Sequence, residues 1–156
     1  MARVLVAVMG PIFNLVSATG NARSKGWGSR IAWMNLDEGM AKAQAEKKPL
    51  MLVIHKKKCA ACFYLRKTVS SSSEIQALSK SFVMVNLDWF ETLREKQYQP
   101  DGEYLPRILF FGPDGQVMYD ITNSPQGRHK YNYSKEGDIV KNMKKVYAIV
   151  TRENNS

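Results

Sequence analysis

The sequence predicts a single α/β domain built on a mixed sheet of four to five strands that is flanked by helices. Residues 50–55 and 82–87 are largely apolar runs, which is typical of strands buried on both faces, and a helical stretch separates them. A strand, a helical crossover and a second strand form a right-handed parallel unit. The two cysteines of the chain, Cys59 and Cys62, follow directly after the first run. They stand where α/β sheets place functional groups, at the carboxyl end of a parallel strand.

Capping signals predict the helices of the first half. Asn35 and Glu38 form a capping-box pattern before a helix over residues 36–48, which ends at a proline. The helix that follows the cysteines continues over residues 63–69. Ser72 or Ser73 then caps a second helix over residues 74–80.

The second half of the chain predicts a hairpin and a final helix. Residues 107–111 form a third strand, which a turn at 112–115 joins to residues 116–121 as a hairpin. Ser134 caps the last helix, whose apolar residues recur at three-to-four spacing. This order of elements is that of a thioredoxin-like domain.

The N-terminus has the pattern of a secretory signal peptide over residues 1–18: a basic start, an uncharged apolar stretch and small residues before Ala18. A membrane anchor is the competing interpretation, but a spanning helix needs about 20 apolar residues, and this run is shorter and is interrupted by glycine, proline and asparagine. Cleavage after Ala22 is an alternative to cleavage after Ala18. We expect residues 19–32 to be a flexible lead-in, residues 33–151 the domain, and residues 152–156 a tail. No later stretch predicts stable membrane insertion.

The charge balance excludes few functions. The chain carries 23 basic and 14 acidic residues, a net charge of +9. The basic residues are scattered and not interleaved with aromatic ones, which favours a solvated surface and argues against nucleic-acid binding. Attraction to acidic proteins or glycans is the functional alternative.

The motif Cys59-Ala60-Ala61-Cys62 predicts thiol–disulfide exchange. A disulfide between these cysteines closes a loop too small to stabilise the fold, so its role is expected to be chemical. Cys59 lies nearer the helix start, where backbone N–H groups and the helix dipole favour a thiolate, so it is the expected nucleophile. Cys62 is the expected resolving thiol. The alternatives are an inert structural pair and half of a zinc site, which His55 and His129 would have to complete; we expect no metal and no cofactor.

Two neighbours of the motif are candidates for lowering the thiol pKa. Lys58, the last of three consecutive lysines, places a positive charge next to Cys59, although solvent and salt screen such charges. His55 at the strand end offers a second charge, although a histidine in this position is also typical of a packed, satisfied side chain.

Leu105 and Pro106 are the predicted client-binding residues. In the thioredoxin-like fold a proline at the start of this strand is usually cis and leaves the preceding backbone free to pair with an extended peptide. A trans proline that begins the strand is the alternative. Asn132 and Asn154 each begin a glycosylation sequon.

The chain resembles the small thioredoxin-domain proteins of the endoplasmic reticulum, the group that includes the anterior gradient proteins. The similarity covers roughly residues 33–150, and its most specific parts are residues 50–56, 82–87, 100–110 and 142–145. The resemblance implies a luminal thiol–disulfide oxidoreductase or folding assistant acting on secretory clients. It implies Cys59 and Cys62 as the redox pair and Pro106 as the cis-proline.

The chain departs from the pattern of that group at several positions. Lys58 replaces a tryptophan that often precedes the first cysteine, and Cys62 stands where anterior gradient members often have serine. Val53 stands where typical thioredoxins have a buried acid. The sequence printed here ends without a K-D-E-L-type signal, so both the lumen of the endoplasmic reticulum and secretion are expected locations.

We therefore predict an oxidoreductase whose partners are secretory proteins that carry thiols or disulfides, with a homodimer as a further option. The rival interpretation is a secreted binding or signalling protein that uses the same fold without turnover.

Overall fold

The computed structural model describes residues 22–91 and 95–156. Its strands are β1 (Trp33–Met34), β2 (Leu50–His55), β3 (Val83–Asp88) and β4 (Arg107–Phe111). Its helices are α1 (Leu36–Glu46), α2 (Ala60–Ser71), α3 (Ser73–Ser79) and α4 (Glu136–Asn154), and Lys96–Tyr98 form a 3-10 turn. The predicted signal peptide, residues 1–18, lies outside the described residues.

The strands form a mixed sheet in the order β1-β3-β2-β4. β3 runs parallel to both β1 and β2, whereas β4 is antiparallel to β2. The predicted mixed sheet flanked by helices is confirmed. β2 lies inside the sheet, and all six of its residues are buried, which explains the continuous apolar run.

The fourth strand is not the one that the hairpin pattern predicted. Residues 116–121 contribute one bridge, between Phe111 and Val117, and the Met118 N–H donates to the Phe110 carbonyl at 2.8 Å. The chain then turns away, since the Ile121 N–H donates to the Met118 carbonyl at 3.0 Å. The place of a fourth strand is taken by β1, which pairs with β3.

Alternate residues of the central strands point to opposite faces of the sheet and fill two cores. On one face Met51 and Val53 pack with residues of α2, α3 and α4, including Leu65, Ile75 and Met143. On the other face Leu50, Leu52 and Ile54 pack with Ala43 of α1 and with Tyr98 and Tyr131. The sheet therefore has α1 on one side and the three other helices on the other side.

The helix caps agree in part with the predictions. The Asn35 side chain accepts the Glu38 N–H at 2.8 Å, as predicted, but the Glu38 carboxylate binds Arg23 at 2.6 Å instead of completing a capping box. α1 ends at Glu46, before the predicted end, because Lys47 adopts a left-handed conformation with φ 53°. Ser72 caps α3 by accepting the Ile75 N–H.

The predicted cap of the last helix was wrong. The helix begins at Glu136, one residue too late for Ser134 to be its N-cap. Lys135 occupies the N-cap position instead and makes no side-chain cap bond.

The predicted domain boundaries were too narrow at both ends. Trp27 and Ile31 are buried in the core, so the part of the expected lead-in that the structure describes, residues 22–32, belongs to the packed domain. Its glycines serve turns, since Gly26 and Gly28 have φ values of 85° and 114°. At the other end α4 continues through most of the expected tail, and Asn154 donates to the Lys47 carbonyl at 2.8 Å.

Within residues 22–91 and 95–156, no helix combines the length and the apolar character that crossing a bilayer requires.

Candidate active site

The two cysteines lie at the junction of β2 and α2 and form a disulfide, with 5.2 Å between their Cα atoms. Cys59 is the N-cap residue of α2, and its Sγ accepts the Cys62 N–H at 3.2 Å. Cys59 is partly exposed, whereas Cys62 is fully buried on the inner side of the helix. An incoming thiol can therefore approach Cys59, and the helix start directs an N–H donor at that same sulfur.

His55 is held inside the protein at the end of β2. The side chain is 2 % exposed, its Nε2 lies 3.3 Å from Asn86 Oδ1, and its ring centroid is 5.0 Å from that of Trp27. Burial lowers its pKa from the ordinary value of 6.5, so the imidazole is neutral at pH 7. The packed interpretation describes this side chain in the disulfide form, and a role of His55 in lowering the thiol pKa stays a prediction.

Asn86 was missed by the sequence reading, which treated it as part of a buried strand. Besides facing His55, its Nδ2 donates to the Arg23 carbonyl at 3.0 Å. A polar residue inside an apolar run is a signal that could have indicated its role, because a buried amide needs hydrogen-bonding partners.

Lys58 and the two lysines before it are exposed on the loop between β2 and Cys59. Among the described residues, the ion pairs include none of these three lysines. Lys58 therefore remains a candidate for stabilising the Cys59 thiolate, through an unpaired charge next to it in the chain.

Leu105 and Pro106 lie at the same edge of the sheet as the dithiol. Their peptide bond is cis, as predicted. Arg107, the next residue, pairs with Ile54 in the antiparallel register, which places Pro106 beside the end of β2. Leu105 is partly exposed, whereas Pro106 is buried.

The first sequon contributes to this edge through a hydrogen bond. Asn132 Nδ2 donates to the Pro106 carbonyl at 3.0 Å. This nitrogen is the atom that would carry a glycan, so in the described conformation the amide holds the proline segment instead.

Arg107 is fully buried and organises the loop before Pro106. Its Nε donates to the Tyr98 carbonyl at 3.0 Å, and its Nη1 donates to the carbonyls of Gly102 and Tyr104. The guanidinium lies over the Trp89 ring, 5.3 Å from its centroid. Sequence reasoning missed this role, although a charged residue at the head of an apolar strand was a usable signal.

The described residues contain no group of three or more histidine, cysteine or acidic side chains placed to hold a metal ion. His129, which was considered as a second zinc ligand, stacks on Tyr104 with 4.1 Å between ring centroids.

Known proteins resemble the chain both in sequence and in fold. A family model described as thioredoxin-like matches residues 32–113. Anterior gradient protein 2-B of Xenopus laevis is 34% identical over 133 residues, which cover 83% of this chain and 79% of the relative. Anterior gradient protein 3 of Mus musculus is 36% identical over 134 residues, which cover 83% and 79%. The chain belongs to the anterior gradient family.

The solved structures that resemble this anterior gradient protein support the fold. A thioredoxin from Thermus thermophilus matches with a TM-score of 0.57 at 19% identity, covering 75% of this chain and 87% of that one. A protein described as DsbH oxidoreductase matches with a TM-score of 0.52 at 15% identity, covering 76% and 85%. The predicted resemblance and the thioredoxin-like fold are both confirmed. Fold, family and a cysteine pair at disulfide distance together support a thiol–disulfide redox role in general.

Proposed function

We propose that this anterior gradient protein exchanges disulfides with client proteins of the secretory pathway through Cys59 and Cys62. The observation that supports this most is the position of the Cys59 sulfur. It is partly exposed, it caps the 12-residue helix α2, and it accepts the Cys62 N–H. The same donor stabilises a thiolate when the pair is reduced, which makes Cys59 the attacking group.

The exchange has two steps whose electrons balance. The Cys59 thiolate attacks one sulfur of a client disulfide, the other client sulfur leaves as a thiolate, and a mixed disulfide results. The thiolate of Cys62 then attacks the Cys59 sulfur and releases the second client thiolate. The client gains two electrons, and this protein is left with the disulfide that the structure holds. The same steps in reverse oxidise a client dithiol.

Burial separates the roles of the two sulfurs. Cys62 is fully buried, so a client does not reach it directly, and it acts on the intramolecular bond. Leu105 and Pro106 stand beside the end of the strand that leads to Cys59, where the backbone around a partly exposed Leu105 is available to an extended client segment. The predicted signal peptide and the family support a location in the lumen of the endoplasmic reticulum or outside the cell.

Trapping of mixed disulfides tests the proposal. In a Cys62→Ala variant the first step still occurs and the second cannot, so we expect mixed disulfides with secretory proteins, resolved by non-reducing electrophoresis and identified by mass spectrometry. The Cys59→Ala variant is the matched control, because it keeps the buried thiol and should trap at most about a tenth as much.

The rival function has its own outcome in this experiment. If Cys62→Ala traps no client, and a Cys59→Ser, Cys62→Ser variant keeps both client binding and biological effect, the protein is a binding or signalling protein without turnover.

A further inference from the structure

A groove of about 780 Å³ lies beside the dithiol, at the carboxyl ends of β2 and β3. Four lysines, two carboxylates and one aromatic side chain line it: Lys25, Lys56, Lys57, Lys58, Asp88, Glu91 and Phe90. The last lysine directly precedes Cys59 in the chain, so a ligand in the groove lies next to the reacting residue.

The carboxylates of the groove are engaged, and most of its lysines are not. Glu91 binds Lys25 at 2.6 Å and also accepts the Asp88 N–H at 3.1 Å, while Asp88 accepts the Phe90 N–H at 3.1 Å. In the part of the chain that the structure describes, Lys56 and Lys57 have no carboxylate within ion-pair distance. With four lysines against two carboxylates, the groove presents a net positive surface.

Phe90 gives this surface an apolar element. Its side chain is 86 % exposed, more than that of any other large hydrophobic residue in the described part of the chain. A small inorganic anion makes no apolar contact with such a ring, whereas a polypeptide offers both carboxylates and apolar side chains. The combination of unpaired lysines with an exposed ring fits an extended acidic segment of a protein.

We propose that this groove selects clients, binding a segment that carries aspartate or glutamate within a few residues of the reacting cysteine. The inference rests on the proposed exchange at Cys59. Lys56 and Lys57 attract the client carboxylates, Phe90 covers an apolar client side chain, and the bound segment extends past Lys58 to the sulfur.

Matched reporter peptides test the selection. Two disulfide-linked peptides share one sequence, which includes a leucine, and differ only in carrying two glutamates or two glutamines beside the cysteine. With the reduced protein, we expect the glutamate peptide to react about three to five times faster, the gain of one to two solvated ion pairs. The advantage should shrink when salt is raised to about 0.5 M, because exposed charges are screened.

Charge-matched variants distinguish the groove from the net charge of the protein. The Lys56→Gln, Lys57→Gln variant should bring the ratio of the two rates close to one. The control is Lys141→Gln, Lys145→Gln, which removes the same charge from exposed lysines of α4, and it should keep the wild-type ratio. Using the ratio removes any change in thiol reactivity that is common to both peptides. Equal ratios in the two variants, or a ratio near one in the wild type, would overturn the proposal.

A binding measurement tests the preference of the groove for acidic segments even if the protein does not exchange disulfides. Cysteine-free copies of the two peptides, followed by fluorescence anisotropy, should bind with the same preference and the same response to the variants. If the protein does not exchange disulfides but keeps this binding preference, only the proposed function is contradicted, and the proposal for the groove stands. Inorganic phosphate and unlabelled acidic peptide are then compared as competitors at matched ionic strength. If phosphate displaces the labelled acidic peptide as effectively as the unlabelled peptide does, the groove is a small-anion site and the proposal is wrong.

Discussion

His55 is a titratable group that the fold keeps uncharged. Its ring sits between Trp27 and Asn86, and burial lowers its pKa below the ordinary value of 6.5. In the unfolded chain the same side chain would take up a proton near that value. Protonation therefore favours the unfolded state, and the residue links the stability of the protein to pH.

We expect the free energy of unfolding to fall as the pH drops below about 6.5, because the unfolded state then binds a proton that the folded state does not. Above that value the contribution of His55 is fully present. Urea unfolding midpoints between pH 7.5 and 5.5 measure the effect. Glu91, whose pKa is lowered from 4.5 by its hydrogen bond to Lys25, loses its contribution only at lower pH.

The His55→Gln variant should flatten this pH dependence, even if it lowers stability at every pH. The control His129→Gln removes the other histidine, which is exposed, and should leave the slope as in the wild type. An unchanged slope in His55→Gln would contradict the assignment.

At the scale of elements, α1 packs so closely on the sheet that one helical position has room only for hydrogen. A Cβ on Gly39 would come within 2.8 Å of Val85 Cγ2 and 3.3 Å of Val83 Cγ1. Both valines belong to β3, which pairs with β1 on one edge and with β2 on the other. Neither valine can therefore move away from the helix freely. The glycine therefore sets the distance between helix and sheet at some cost in helix propensity.

Gly39→Ala should lower the free energy of unfolding by about 1–3 kcal/mol, because overpacking outweighs the gain in helix propensity. The matched control is Gly137→Ala in α4, where a Cβ meets nothing within 4 Å. That change should be neutral or stabilise by up to about 1 kcal/mol. Chemical denaturation of both variants gives the comparison, and effects of the same sign and size would mean that propensity alone governs both sites.

At the scale of the whole molecule, the segment before β1 closes the core that lies under α2. Trp27 is fully buried among residues of the sheet and helices, and the Arg66 guanidinium covers its ring at 5.7 Å. The same ring packs on His55, so the segment connects the core with the end of β2. The folded unit therefore includes residues that their composition alone assigned to a linker.

Trp27→Ala should destabilise the protein by about 3–5 kcal/mol through lost burial and a cavity. Phe90→Ala, the control, removes a ring that is 86 % exposed and should change stability by no more than about 0.5 kcal/mol. Thermal and urea unfolding measure both. A small effect of Trp27→Ala would show that the segment is not an integral part of the domain.

The sequence predicted those parts of the fold that leave a local signal. β2, β3 and β4 were visible because strands buried on both faces are continuous apolar runs. β1 has two residues and is too short to show a period. The hairpin was wrong beyond one bridge, because the turn at residues 118–121 depends on tertiary packing that the alternation of residues does not encode.

The candidate site divides in the same way. The cysteine pair and the cis Leu105–Pro106 bond follow from local sequence and from the resemblance. The partners of His55 are distant from it in the chain, and so is Lys25 from the three lysines with which it lines the groove. Only the folded structure brings them together, so spacing rules could not reveal them.

Arg107 shows one more consequence of how the edge beside the dithiol is built. Its hydrogen-bonding partners are the carbonyl oxygens of Tyr98, Gly102 and Tyr104, and a peptide carbonyl has no proton to gain in mild acid. A guanidinium bound to carboxylates would lose these partners when acid protonates them. The hydrogen bonds of Arg107 to peptide carbonyls do not depend on pH in this way. The hydrogen bonds by which Arg107 holds the loop before Leu105 and Pro106 should thus persist through the acid range in which His55 becomes charged.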